Sequence, residues 1–407
     1  MPQRNYSLMT AILCWSGIVV MSSLYVTIPL MTIFADLFSI TLTQAAAAGS
    51  AFSVGFAIGC LIYGPLSEKY GRKNVIVIGM IVLTLISLLL GSANDFAWII
   101  VLRSLQGAAA ATFSPIALAY AVEMFPPAKR VTAIGFISTG FLAAGIIGQV
   151  ISSVMSQQYN WHAVFYLLAA IYFVTLLVVM RWLPKEESPI ATVNIWEPIK
   201  RIPSLFKQKN IILSYIIALV LLMSFVNMYT VLGSYLAGPD FGLSNQDILL
   251  VRTIGVVGML ISPLAGGLAK RFGLHTMLRC GLGLAVVSMA SLGMIANLSL
   301  LIGTSVLFVA GIALSVPSLI TLIGQLGGKS RGIAVSVYTF ILFSGTSLGP
   351  ILSIRLMNVG SYELTFVLLA IVLGIGLLAA CLIRSDSAVE SISTSEQREA
   401  KPPSPLA

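Results

Sequence analysis

The sequence predicts an all-α membrane protein, with twelve transmembrane helices in two pseudo-symmetric six-helix bundles, and three observations carry that expectation. Hydrophobic residues fill 58% of the 407 positions and charged residues only 9%, against roughly 25% charged in soluble domains. Apolar runs recur at the length, roughly 20 residues, that a helix needs to cross a hydrocarbon core about 30 Å thick. Finally, the chain echoes itself at an offset close to 202 residues.

The first run carries no charge between Arg4 and Asp36. It is too long for the roughly 7–15-residue core of a cleaved leader, so it reads as a retained first helix. Together with it, the runs predict spans near 8–32, 45–64, 75–93, 97–121, 132–155, 162–183, 211–236, 248–268, 278–296, 299–322, 333–355 and 363–383. A bundle over residues 1–183 is followed by a polar linker over 184–210 containing Pro184, Pro189, Pro198 and Pro203. The second bundle covers 211–384. The tail 385–407, rich in Ser, Glu and Pro, has the composition of a disordered segment.

Placing every second loop on one side gathers twenty of the 23 Lys and Arg residues there, among them Lys69, Arg72, Lys73, Lys129, Arg130, Lys270 and Arg271. By the positive-inside rule that side is cytoplasmic, with both termini on it. An odd number of spans would scramble the pattern. The formal net charge of +9 therefore reports topology, and no basic face for nucleic acid is formed. Cys14, Cys60, Cys280 and Cys381 each fall in a different apolar run, which predicts free thiols and no metal site. No Gly-x-x-x-x-Gly-Lys-(Ser/Thr) loop is present to bind a nucleotide, and His162 and His275, both near loops, form no catalytic constellation. Neither an enzyme nor a cofactor is expected.

The repeat is explicit after the second span. Gly64-Pro65-Leu66-Ser67-Glu68-Lys69-Tyr70-Gly71 is echoed by Gly266-Gly267-Leu268-Ala269-Lys270-Arg271-Phe272-Gly273. Pro115 matches Pro317, while Arg130 and Gly148 match Arg331 and Gly349 one residue short of the same offset. Parallel repeats of this kind place a substrate site at the midplane between the halves.

These motifs resemble the major facilitator superfamily, specifically its twelve-helix drug/proton antiporter branch, over residues 8 to 384. Gly64 to Lys73 is similar to that family's signature loop, with Glu68 where the family has aspartate, and Arg103-Ser104-Leu105-Gln106-Gly107 is similar to its Arg-x-x-Gln-Gly motif. The glycine ladder of its fifth helix survives as Gly140, Gly145 and Gly148, without the Gly-Pro step. The resemblance implies a secondary transporter that exports a small amphipathic or drug-like compound from a bacterial cytoplasm, across the inner membrane, in exchange for protons. It would be driven by the proton-motive force and act as a monomer whose partners are substrate, protons and the lipid bilayer. The alternatives are an exporter or facilitator of one physiological solute, such as a sugar or organic anion, and a non-transporting membrane sensor or scaffold.

Several residues are candidates for that work. If helix 2 continued past Gly71, Glu68 and Arg72 would stand one turn apart, and Glu123 ends helix 4 on the same side. The resemblance implies a conformational latch in which Arg72 pairs with Glu123 and Glu68 faces the start of helix 11 near Gly332. The bland alternative is that the basic residues only set topology and Gly71 only makes the turn. Arg103 is costly inside an apolar helix, by at least ~2.5–3.5 kcal/mol, and shares a face with Gln106. It is read either as a coupling or cavity residue or as a side chain that snorkels outward. Ser22 and Tyr25 share a face of helix 1, and Tyr25 maps onto Asn227 of helix 7, so these are candidate cavity-lining groups or interhelical hydrogen-bonding groups. Arg252, near the outer end of helix 8, reads first as a snorkelling side chain and second as an attractor of anions. Gly55 and Gly59 in helix 2, with Gly255 and Gly258 in helix 8, are expected at interfaces that shear. No Asp or Glu lies deep in a span, which leaves Asp36, Asp95, Asp240, Asp247 and Glu363 at the outer ends, and Glu68 and Glu123 at the inner, as acids to carry a proton.

Overall fold

The computed structural model describes residues 5–185, 200–358 and 360–383, so most of the polar linker and the whole C-terminal tail lie outside the described residues. Among the described residues, twelve long helices cross between two ends of the molecule. They are α1 (Tyr6–Leu37), α2 (Ala47–Tyr70), α3 (Arg72–Gly91), α4 (Phe96–Met124), α5 (Pro127–Gln158) and α6 (Trp161–Trp182). The second set is α7 (Lys209–Ala237), α8 (Gln246–Phe272), α9 (Leu274–Leu292), α10 (Leu298–Leu326), α11 (Arg331–Met357) and α12 (Tyr362–Leu382). Eleven are long and apolar enough to cross a membrane by length and composition. The twelfth, α11, is 27 residues long with charge only at Arg331 and Arg355. Large apolar side chains such as Val54, Ile58, Leu85, Val101, Phe173, Val287 and Leu378 point outward, as lipid contact requires of a multi-pass membrane protein.

The helices overrun the predicted spans by a turn or more at several ends, because caps and turn glycines stop them, not the edge of hydrophobicity. Asp95, Asn160, Ser244, Asn297 and Ser361 cap α4, α6, α8, α10 and α12 by accepting from first-turn N–H groups. At Ser244 the cap is reciprocal, with Asp247 reaching back to it. Helix α2 does not continue to Arg72. It stops at Tyr70, Gly71 turns the chain at φ 91°, a value suited to glycine, and Arg72 opens α3. The equivalent turn between α8 and α9 has Gly273 at φ 82°. Three helices are interrupted. Helix α1 breaks at Val26, α4 between Ala110 and Ser114, and α8 at Gly255 and again through a short 3₁₀ turn at Ser262–Leu264.

Packing follows the repeat. Helix α1 lies against α5, α2 against α4, and α3 against α6; six helices later, α7 lies against α11, α8 against α10, and α9 against α12. The two halves meet mainly through α2 with α11 and α5 with α8 and α10. Small residues allow that approach. A Cβ on Gly64 would strike Ser336, one on Gly135 would strike Ser262, one on Gly266 would strike Thr132, and one on Gly324 would strike Val122. All of these lie toward the end that carries the basic loops, called the basic end below. By contrast, Gly55 and Gly59 pack α2 onto the α4 backbone, and Gly258 packs α8 onto α10. These glycines therefore hold helices together inside each half, where the sequence placed them at a shearing interface. The periodicity that marks a small-residue face does not say which neighbour it meets.

Candidate functional site

At the basic end, the turn at Gly71 folds Arg72 back beneath α2. Its guanidinium is 4% exposed and grips Glu123 through two bonds, Nη2 to Oε1 at 2.7 Å and Nε to Oε2 at 3.2 Å. Nη1 donates to the Gly64 carbonyl at 3.2 Å and to the Ser67 hydroxyl. Glu68 lies 3.4 Å from Nη2. The other half supplies Arg331, 4.0 Å from Glu123, and Gly332, where a Cβ would run into both the Glu68 carboxylate and the Arg72 guanidinium. The carboxylate thus sits at the first turn of α11, where unsatisfied N–H groups favour negative charge. The paired fork and the close approach of Gly332 bring one charged cluster and both halves together at this point.

Arg103 is buried completely and does not snorkel. Its Nε donates to the Ala48 carbonyl at 3.3 Å, and Nη1 donates to the Ser23 carbonyl at 2.8 Å and to Gln106 Oε1 at 2.6 Å. Gln106 in turn donates to Ser87 at 2.9 Å, and the Phe52 ring lies 4.5 Å from the guanidinium carbon. The fourth contact is missing: Nη2 is buried without a partner, and no carboxylate pairs with the group among the described residues. Arg103 therefore ties α1, α2, α3 and α4 together inside the first half.

A cavity of about 230 Å³ does open between the halves, on the far side of the interhalf contacts from the basic end. Tyr25 and Ile28 of α1, Leu142, Gly145, Ile146 and Gln149 of α5, Phe225, Val226, Tyr229 and Thr230 of α7, and Arg252 and Met259 of α8 form its wall. Of the paired candidates, Tyr25 faces this space and Asn227 does not. Asn227 is buried against α11, where its Oδ1 accepts from Ser353 at 2.8 Å and lies over Gly349. Ser22 is a pin between α1 and α5, donating to the Ile18 and Ala144 carbonyls. The glycine ladder serves the same helix pair: Gly140 meets the Cys14 carbonyl, Gly148 the Ser22 carbonyl, and Gly145 the ring of Tyr25.

Two further wall residues are Arg252, which the sequence suggests first as a snorkelling side chain, and Tyr229, which the sequence does not single out. Arg252 faces the cavity instead of reaching to the interface, and Tyr229 stands beside it on α7. The break in α8 at Gly255, one turn beyond Arg252, was the signal available, because interrupted helices tend to line transporter sites. Of the acids weighed for proton transfer, Asp95 and Asp247 are helix caps, and Asp36, Asp240 and Glu363 are exposed. Glu68 and Glu123, 24% and 25% exposed, are the partly buried carboxylates among the described residues. No cluster of three His, Cys, Asp or Glu is placed to hold a metal ion among them either.

The model of the Major Facilitator Superfamily matches residues 13–262 and 231–407. An uncharacterized transporter of Buchnera aphidicola is 24% identical over 329 residues, covering 80% of this chain and 79% of its own. An uncharacterized MFS-type transporter of Bacillus subtilis, YybF, is 25% identical over 340 residues, 80% of each chain. The multidrug resistance protein MdtG of Proteus mirabilis is 24% identical over 255 residues, 61% of this chain and 63% of its own. Among solved structures, the fucose:proton symporter FucP of E. coli superposes with a TM-score of 0.75 at 15% identity, covering 94% of this chain and 100% of that one. Matching helix order, repeat packing and family model agree, and the chain belongs to the major facilitator superfamily of membrane transporters.

Proposed function

We propose that this transporter exports a small amphipathic solute in exchange for protons, with its basic end and both termini on the cytoplasmic side of a bacterial inner membrane. The observation that carries the reading is the cavity between the halves, walled mostly by apolar side chains with a few converging polar groups, the usual make-up of a small-molecule site. Closure of the basic end on the other side of that cavity fits one state of an alternating-access cycle, in which Arg331 and Gly332 of the second half seat against the Glu68–Arg72–Glu123 cluster of the first, a contact that must part in the other state. The relation to MdtG, a protein named for multidrug resistance, supports export. The positive-inside distribution of Lys and Arg supports the orientation.

Proton exchange needs an acid within the protein, and in this reading that part falls to Glu68 and Glu123, the partly buried carboxylates among the described residues. Their loss of charge would weaken the grip on Arg72 and so link protonation to opening of the basic end. The test is a substrate-panel efflux assay in inverted vesicles energised by a pH gradient. Addition of a transported compound should dissipate the gradient, and efflux should stop when an uncoupler removes it. Efflux that proceeds down a concentration gradient with no proton flux would replace exchange by facilitated movement. Absence of movement for every compound would favour a membrane sensor. The second reading, one physiological organic anion as substrate, is favoured by Arg252 in the cavity wall.

A further inference from the structure

We infer that the central cavity selects an organic oxyanion, a carboxylate or sulfonate on a small apolar body, through Arg252 and Tyr229; the inference rests on the transport reading above and names its substrate class. Arg252 sits in the wall of the cavity between the halves, and no other charged side chain lines that wall. Its Nη2 donates to the Tyr229 carbonyl at 3.2 Å, while Nε is buried without a hydrogen-bond partner. The Tyr229 hydroxyl is likewise buried and without one. Two unsatisfied donors on residues of one cavity wall, one of them on a cation, are expensive to leave unfilled, and the oxygens of an anionic group are the acceptors that would fill them. The guanidinium presents its N–H groups in the planar fork that carboxylates and sulfonates match, and the Tyr229 hydroxyl adds a separate donor.

The neighbouring backbone is shaped around this pair. A Cβ on Gly233 of α7 would come within 2.8 Å of Arg252 Nη2, and a Cβ on Gly255 of α8 would run into the Tyr229 hydroxyl. Any other residue at either position would push a donor away from its place. The acid nearest in sequence, Asp247, is committed to Ser244 in the helix cap. The groups facing Arg252 from the other half are neutral: Tyr25 and Gln149, whose amide nitrogen is bound to the Gly145 carbonyl and whose oxygen accepts no hydrogen bond from a described residue. Phe225, Leu142, Ile146 and Met259 supply the apolar surface for the rest of the molecule. A cation of the same shape would meet Arg252 with like charge and no carboxylate to offset it, so the arrangement rejects cations as well as attracting anions.

The test uses three ligands of one shape and three fixed charges: naphthalene-2-sulfonate, naphthalene-2-sulfonamide and (2-naphthylmethyl)trimethylammonium. Binding to the full-length protein in lipid nanodiscs is followed by ligand fluorescence, and movement by counterflow in proteoliposomes. The wild type is expected to bind the sulfonate at least tenfold more tightly than the sulfonamide, with the ammonium weakest. Arg252→Gln should reduce the sulfonate preference to less than twofold, Arg252→Lys should keep part of it, and Tyr229→Phe should reduce it by about threefold. Size-exclusion elution and thermal midpoint establish that each variant is folded. Equal binding of the three, no binding, preference for the ammonium, or an unchanged preference in Arg252→Gln would each overturn the inference. The two readings separate in the second assay. Counterflow of the ammonium but not the sulfonate leaves transport standing and removes the anion site; sulfonate bound by the wild type but never moved does the reverse.

Discussion

Arg72 and Arg103 lie in the same half, both almost wholly removed from solvent, and they are satisfied in opposite ways. Arg72 is held by carboxylates of its own half and lies directly under Gly332 of the other, so the cluster it anchors loses its cover when the halves move apart. Arg103 is held by carbonyls, an amide and an aromatic ring of its own half, with one nitrogen left over. A buried charge seated at the boundary between the halves takes part in a contact of one conformation, whereas a charge solvated within one bundle travels with that bundle. The difference teaches that intramembrane charge is not one category. Position relative to the interface between halves decides what it does.

The comparison breaks most sharply at Arg103. Replacing it with Ala removes three buried hydrogen bonds and leaves the Gln106 oxygen without its partner, at about 1–3 kcal/mol for a buried group left unpaired. The expected result is a large fall in thermal midpoint and in folded yield, read by fluorescence-detected size exclusion. Arg103→Lys keeps the charge and loses the fork. It should remain folded with a smaller fall in thermal midpoint than Ala and keep uphill transport near wild type; a folded variant that binds substrate yet loses uphill transport would make Arg103 a coupling residue instead of a tie within its bundle. Arg72→Ala should insert and express normally and lower the initial transport rate by about tenfold, about 1.4 kcal/mol, because Arg72 holds the cluster on which Arg331 and Gly332 of the other half seat in one state of the cycle. Normal kinetics in that variant would remove the latch. Glu123→Gln should cost less, about threefold in the same assay, since Glu68 still faces Arg72.

The smallest expected effects separate the wall from the frame. Tyr25→Ala should change apparent substrate affinity by threefold or more. Asn227→Ala should leave affinity within about twofold and lower the thermal midpoint slightly, as befits an interhelical bond averaging about 0.6 kcal/mol. Equal effects on affinity would mean that the repeat preserves function as well as shape at these two positions.

The span count, the repeat and the residues of the basic-end cluster were legible in the sequence because each depends on properties that order alone records: run length, loop charge and a motif in a short turn. The facing of single polar residues was not legible. Helices in this chain are apolar nearly all round, so the period that would normally point a residue inward or outward is faint. Arg103 and Arg252 therefore look alike as isolated charges in apolar runs, although one is enclosed by its own bundle and the other borders the cavity. Tyr25 and Asn227, equivalent by the repeat, diverge for the same reason. In the turn after α2, sequence spacing led to the right partners by the wrong path: Glu68 and Arg72 meet because Gly71 reverses the chain, not because one helix carries both.

That reversal occurs twice. Gly71 and Gly273 adopt nearly the same backbone angles at equivalent places, yet the positions matching Ser67, Glu68 and Arg72 are Ala269, Lys270 and Leu274. If both halves descend from one duplicated ancestor, the backbone bend has outlived the charges that surround it in the first copy. The bend then answers to folding, since either half needs it to return the chain, while the charged cluster answers to the working cycle, which needs only one such fastening. A transplant of Ser67, Glu68 and Arg72 into the second copy would accordingly be tolerated as architecture and felt as friction.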